Sequence, residues 1–326
     1  MTARHNVGTS AEEMNLRVLA IREEAEDVRS YVLADPDGAE LPAWEPGAHI
    51  DLLLPGELVR QYSLCGRPGE RGSYRVAVLR ADNGRGGSRL LHERVRIGDE
   101  LKVGRPRNNF PLAEAAGHLF VAGGIGITPL LPMIHEVAAL GADWRLYYGG
   151  RSRSRMAFLG ELAALAEADA RVRVLPEDEH GLLPLAEILG GVDDTTVVHC
   201  CGPEPLLQAV ERVWAGRPAD SLRTERFQAR EDLAPSPDRT FEVVVSSSGR
   251  IVPVAVGESI MDVLGAAGID VPFSCREGTC GSCETAVLDG EVEHRDSVLS
   301  EAEQATNTTM MLCVSRARSA RLVLDL

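Results

Sequence analysis

No apolar run in this 326-residue chain approaches the roughly 18 residues a membrane-spanning helix needs. The opening stretch, MTARHNVGTSAEEMNLRVL, has acidic side chains where an export signal keeps an apolar core. A cytoplasmic protein without a membrane partner is therefore expected. Positive charge is also in short supply: 34 Lys and Arg stand against 49 Asp and Glu, a net −15. Nucleic-acid phosphates demand a basic surface, so that class of partner is excluded. The chain has seven cysteines and an expected reducing environment, which argues against a disulfide framework. Internal repeats and low-complexity tracts are absent, and so is the G-x-G-x-x-G dinucleotide fingerprint. None of the eight histidines sits in a recognisable catalytic motif.

What is present reads as two or three domains by length. From about Asn15 to Leu112, short alternating segments (LRVLAI, HIDLLLP, VRQYSL, YRVAVLR) are punctuated by Gly, Pro and Asp. They predict an antiparallel β-barrel over residues 1–112, with SRLLHERV as an inserted helix. Over 113–228, the apolar strands HLFVAG, WRLYYG, VRVLP, TTVVHCCG and SLRTERF alternate with the helical stretches LLPMIHEVAAL, AFLGELAALAEA, LLPLAEIL and EPLLQAVERVWA. That order predicts a parallel sheet covered by helices. Residues 229–239, AREDLAPSPDR, carry two prolines and no periodicity and read as a linker. Over 240–326, a hairpin, a helix (SIMDVLGAAG), a cysteine-rich loop and short strands follow.

Four of the cysteines fall at Cys275, Cys280, Cys283 and Cys313, with intervals of four, two and twenty-nine residues. This is the plant-type spacing for a 2Fe–2S cluster. Three thiolates converging from one loop require an irregular backbone, which Gly278 and Gly281 permit. The small Ser274, Thr279 and Ser282 let amide N–H groups approach sulfur, and Cys313 is expected to close the cage from a distant strand. A structural zinc site is the alternative, but it usually uses two short paired knuckles, and only one Cys-x₂-Cys pair exists here.

With this loop, residues 240–326 resemble a plant-type ferredoxin, a β-grasp fold. Beyond its first dozen residues the chain resembles the phthalate dioxygenase reductase family, whose order is flavin barrel, nicotinamide domain and ferredoxin. Arg60-Gln61-Tyr62-Ser63-Leu64 is similar to the Arg-x-Tyr-Ser motif of ferredoxin-reductase-like flavoproteins. Alternation places Arg60 and Tyr62 on one face. Arg60 can then pair with a flavin phosphate, Tyr62 can cover the ring, and Ser63 can donate towards N5. Gly84-Arg85-Gly86-Gly87-Ser88 precedes a helix and suits a phosphate cradle, with Ser88 as a helix cap. The resemblance implies FMN rather than FAD.

Gly123, Gly124, Gly126, Thr128 and Pro129 lie between a predicted strand and helix and resemble the family's Gly-Gly-x-Gly-x-Thr-Pro motif. The glycines are expected to admit the cofactor to the backbone. Cys201-Gly202-Pro203 resembles the family's Cys-Gly-Pro turn beside the nicotinamide, with Cys201 as a packing and positioning residue for C4. Phe227 matches an aromatic that the family places by the flavin, although a strand-end Phe is commonly core. Arg151 and Arg153 follow the second strand of this block and could hold the 2′-phosphate of NADPH. The resemblance favours NADH, with NADPH left open.

The three sites together imply a relay in which hydride chemistry at Ser63, Cys201 and Phe227 becomes single-electron export through the cysteine cage. The expected protein is a monomeric reductase of a two-component oxygenase, delivering to a terminal, Rieske-type partner. Two alternatives stay open: a reductase for a haem-thiolate monooxygenase, and a redox sensor or adaptor. No Rieske pair of cysteines and histidines is present, so oxygen activation belongs to the partner.

Overall fold

The computed structural model describes residues 13–56, 58–81, 84, 86–165, 171–229 and 239–326. Within the expected linker, residues 230–238 lie outside the described residues, as does Arg85. The chain divides into two compact units that part between Glu225 and Arg226.

The first unit begins with β1 (Met14–Ala25), β2 (Val28–Ala34), β3 (His49–Leu54), β4 (Leu58–Ser63), β5 (Tyr74–Leu79), α1 (Gly87–Arg94) and β6 (Glu100–Val103). The strands pair antiparallel in the order β4-β3-β6-β1-β2-β5. A bridge from Leu64 to Val76 joins the two edges, so the sheet closes as the barrel its alternating segments predict. Inward positions of that alternation, among them Val18, Leu33, Ile50, Leu52, Tyr74 and Val76, form its core. β2 and β6 lie outside the four segments named from sequence. β2 is buried along both faces, so it lacks a clean period of two, and β6 alternates but has only four residues, too few to stand out.

The same unit continues with β7 (Gly117–Gly123), α2 (Ile127–Ala139), β8 (Asp143–Gly150), α3 (Leu159–Leu165), β9 (Val172–Pro176), α4 (Glu177–His180), α5 (Leu185–Gly190), β10 (Thr196–Cys201), α6 (Glu204–Trp214) and β11 (Leu222–Glu225). All five strands are parallel, in the order β11-β10-β7-β8-β9. β7 is buried along its whole length. Phe120 and Ala122 face α2, while Leu119 and Val121 face α5 and α6, as a sheet covered on both sides requires. From β7 the chain builds outward through β8 and β9, then crosses back to β10. The topological switch therefore lies between β7 and β10.

Barrel and sheet share one core: Val28, Cys65 and Ala77 of the barrel pack with Phe120, Ile127, Leu130 and Phe158. β5 also lies against the Gly124–Gly126 turn that follows β7.

The second unit contains β12 (Phe241–Val245), β13 (Arg250–Val254), α7 (Ile260–Ala266), β14 (Glu284–Asp289), β15 (Val292–Glu293), α8 (Glu301–Thr306), β16 (Thr309–Met311), β17 (Arg316–Ala317) and β18 (Arg321–Leu324). Its main sheet runs β13-β12-β18-β14-β16, with β12 and β18 parallel and the other pairs antiparallel. α7, capped by Ser259 accepting the Asp262 N–H, buries Ile260, Met261 and Leu264 against it. This is a mixed sheet grasping one helix.

Candidate functional site

β4 is held in register by Asp51 of β3, which lies opposite Gln61. The Gln61 amide donates to Asp51 at 2.7 Å, and Arg107 grips the same carboxylate from the other side at 2.9 and 2.8 Å. With Gln61 anchored on one face, pleating sends Arg60 and Tyr62 to the other. The Arg60 stem lies across Gly87, where a Cβ would come within 2.7 Å of Arg60 Cγ. Strand and helix thus bring a guanidinium to the start of α1. That helix opens at Gly86, in the left-handed region at φ 88°, with no side chain capping it. Its first N–H groups and one arginine are the donors a phosphate needs.

Ser88 is not the cap its position predicts. It sits inside the first turn, and its hydroxyl accepts the Ala81 N–H at 3.1 Å, tying the loop rather than capping the helix. Burial pushes the Tyr62 phenol well above its ordinary value despite the opposing charge of Arg60. Ser63 is buried beside it, and Leu64 is wholly buried at the barrel closure.

At the switch crevice the glycines serve a purpose different from the one expected. A Cβ on Gly126 would fall 2.2 Å from the Cys201 carbonyl oxygen, and one on Gly123 2.7 Å from Pro203 Cδ. A Cβ on Gly202 would meet Gly123 Cα at 3.0 Å. These three glycines let the two turns pack on each other. Of these glycines only Gly124, at φ 53°, has open space above its Cα. The Thr128 hydroxyl donates to Ile125 O at 2.9 Å and fixes the turn, and Pro129 follows in the buried first turn of α2.

Cys201 ends β10 with its side chain in the shared core, while Cys200 points into the opposite layer. Burial, and then the neighbouring Glu225, push the Cys201 thiol well up, so it is no nucleophile at neutral pH. Its Sγ lies 4.0 Å from Glu225 Oε2. Burial also pushes the Glu225 carboxyl up to about 8. Phe227, two residues beyond, is 42% exposed and belongs to the second unit.

Beyond β8, Arg151 is exposed and its carbonyl accepts the Asp178 N–H at 3.3 Å. Arg153 makes a two-point pair with Glu179 at 3.2 and 2.9 Å. Arg155 pairs with Glu26 and Asp27 of the barrel. Deeper between barrel and sheet, Arg75 of β5 grips Glu161 of α3 at 3.1 and 3.0 Å, and His135 of α2 meets the same carboxylate at 2.6 Å. Arg75 also donates to Cys65 O at 3.0 Å and lies 5.1 Å from the Phe158 ring centroid. Burial alone would raise Glu161, but the bonds from His135 and Arg75 outweigh it and hold it at about 2. Sequence reading missed this latch because its members are scattered singly over three elements with no motif.

In the second unit Cys275, Cys280 and Cys283 lie on an irregular loop, as three converging thiols require. Cys313 comes from the turn after β16, not from a strand; only a turn can swing its side chain back to the loop. Gly278 and Gly281 take φ 69° and 70°, and a Cβ on Gly278 would meet Val314 at 2.6 Å. The amides of Glu277 and Thr279 donate to Cys275 Sγ at 3.3 and 3.5 Å, and that of Cys280's partner Cys275 donates to Cys280 Sγ at 3.4 Å. Hydrogen bonds from the Cys280 and Cys313 thiols hold the Cys275 thiol's pKa well below its ordinary value. Four soft donors with amides already aimed at sulfur fit an iron–sulfur cluster.

A dinucleotide crevice at a sheet switch and a four-thiol loop in one chain define an iron–sulfur oxidoreductase. Residues 120–212 match the family described as the oxidoreductase NAD-binding domain, and residues 243–318 the 2Fe-2S iron-sulfur cluster binding domain. The chain belongs to the phthalate dioxygenase reductase family. It is 43% identical to the phenoxybenzoate dioxygenase subunit beta of Ectopseudomonas oleovorans, over 96% of this chain and 97% of that protein. The solved phthalate dioxygenase reductase, described as a modular structure for electron transfer from pyridine nucleotides to [2Fe-2S], matches at 38% identity. Its TM-score is 0.70, over 96% of this chain and 98% of that one. An intact type IV self-sufficient cytochrome P450 monooxygenase matches at 44% identity and TM-score 0.89, over 96% of this chain but only 41% of that longer one. Among the described residues, no helix is long and apolar enough to cross a membrane.

Proposed function

We propose that this chain takes a hydride from NADH with FMN and exports electrons one at a time through its 2Fe–2S cluster to a terminal, Rieske-type oxygenase. The observation that carries the proposal is the shared core. The strand bearing Arg60, Tyr62 and Ser63 runs straight into Cys65, which packs with Ile127 behind the Gly124–Gly126 turn. That strand would therefore hold a flavin next to the turn that follows β7.

FMN, when bound, accepts two electrons as hydride and releases them singly, and the cluster carries one at a time. Arg60 and the α1 N-terminus would hold its phosphate, Tyr62 would cover the ring, and Ser63 would offer it a donor. Cys201, Gly202 and Pro203 would form the floor against which a nicotinamide is positioned. Glu225, largely protonated at neutral pH, keeps negative charge away from the reacting face. Cys275, Cys280, Cys283 and Cys313 would ligate the cluster. The reductase acts as a cytoplasmic monomer.

Delivery to a haem-thiolate monooxygenase is a second reading, supported by the likeness of the whole chain to part of a self-sufficient cytochrome P450. Steady-state cytochrome c reduction by NADH, with mass spectrometry of the released flavin, tests the proposal. Fast turnover and stoichiometric FMN are expected. Undetectable turnover would point instead to a redox sensor, and stoichiometric FAD would overturn the flavin assignment.

A further inference from the structure

The strand ends that build the nucleotide crevice continue past it. β10 and β7 meet at the switch, with β8 and then β9 beyond. Parallel strands lie about 4.8 Å apart, so the carboxyl ends from β10 to β9 span roughly 14 Å, the reach of an extended dinucleotide. A nicotinamide at Cys201-Gly202 therefore puts the adenosine half over the residues that follow β8 and β9. Those residues are Arg151–Arg155 and Glu177–His180, and the Asp178 N–H to Arg151 carbonyl bond ties the two segments into one lip.

The lip carries the discriminating chemistry. Arg153, the cation placed to meet a 2′-phosphate, already commits the Nε–Nη2 edge of its guanidinium to Glu179 at 3.2 and 2.9 Å. Glu177, Asp178 and Glu179 all fall in the first turn of α4. A 2′-phosphate arriving here meets an arginine already paired with Glu179, with Glu177 and Asp178 on the same helical turn, whereas a 2′-hydroxyl carries no charge to repel.

We propose that Glu179 is a specificity-determining residue that excludes NADPH by occupying Arg153 and presenting a carboxylate at the adenosine end of the crevice. The inference rests on the reading that the chain prefers NADH. Removing the carboxylate frees Arg153 and converts the lip from a rejecting to an accepting surface, acting on NADPH binding rather than on hydride transfer.

The test measures kcat and KM with NADH and NADPH, at matched ionic strength, for wild type, Glu179→Gln, Glu179→Lys and the double variant Glu179→Gln with Arg153→Ala. Both Glu179 variants should raise the NADPH-to-NADH ratio of kcat/KM at least tenfold, through a lower KM for NADPH. The double variant should lose that gain. Glu179→Lys guards against an idiosyncrasy of the amide, and flavin content confirms that each variant is folded. A ratio within twofold of wild type in both single variants would overturn the proposal, as would a gain that survives loss of Arg153. A wild type that prefers NADPH would overturn the NADH reading by itself, and the response of the variants would still decide the role of Glu179.

Discussion

Glu161 is the keystone between barrel and nucleotide sheet, and replacing it with Gln keeps the shape while removing the charge. Its carboxyl is held at about 2 against an ordinary 4.5. At about 1.4 kcal/mol per unit, that shift corresponds to about 3.5 kcal/mol of native-state preference for the ionised form. The side chain is a quarter exposed, so solvent screening trims the expectation to about 2 kcal/mol. Because the folded value is depressed, this stabilisation is complete above about pH 4.5 and is lost as pH falls towards 2. Urea unfolding at pH 7 should therefore show Glu161→Gln about 2 kcal/mol less stable than wild type, with the gap closing as the pH is lowered. Hydride transfer should slow as well, since Arg75 leads to Cys65 and the flavin strand. A variant within 0.5 kcal/mol of wild type at pH 7, keeping the same acid dependence, would refute the latch; that threshold is roughly the spread of neutral surface substitutions.

Three further outcomes follow from the same geometry. Glu225 works in the opposite direction: its folded value of about 8 means stability is full below about pH 4.5 and falls as pH rises through 8. Thermal melts between pH 5 and 9 should therefore show a decline that Glu225→Gln flattens. Gly126→Ala forces a Cβ to 2.2 Å from the Cys201 carbonyl, which is rigid backbone, so it should cost about 1–3 kcal/mol and cut kcat/KM for NADH. Gly124→Ala meets nothing and should cost only the strain of its left-handed φ, about 1–2 kcal/mol. Arg60→Ala removes a charge-assisted contact of about 1.5–3 kcal/mol and should weaken flavin retention more than tenfold by equilibrium dialysis. Ser88→Ala, whose hydroxyl serves Ala81, should weaken it less.

Elements with a local signature were legible from residues alone: the alternating barrel segments around β1, β3, β4 and β5, the apolar runs of the five parallel strands, and the Cys-Gly loop with its two left-handed glycines. What escaped depends on distance. Arg75, His135 and Glu161 lie far apart in sequence and meet only because β5 packs on α2 and α3. The Arg153–Glu179 pair likewise appears only once β9 brings the two together. Gly123, Gly126 and Gly202 carry the expected spacing for a different reason, turn packing on turn, which no single segment reveals. Ser88 misled because a serine after glycines suits a cap, yet Gly86 had already opened the helix.

The relay itself is tested most directly by anaerobic rapid mixing with NADH, following flavin absorbance and the electron paramagnetic resonance of the reduced cluster in wild type and Cys283→Ser. Wild type should bleach its flavin first and develop the 2Fe–2S signal afterwards. The variant should bleach its flavin at an unchanged rate and develop no cluster signal. A normal 2Fe–2S signal in Cys283→Ser, or a wild-type cluster that is reduced before the flavin, would contradict the account.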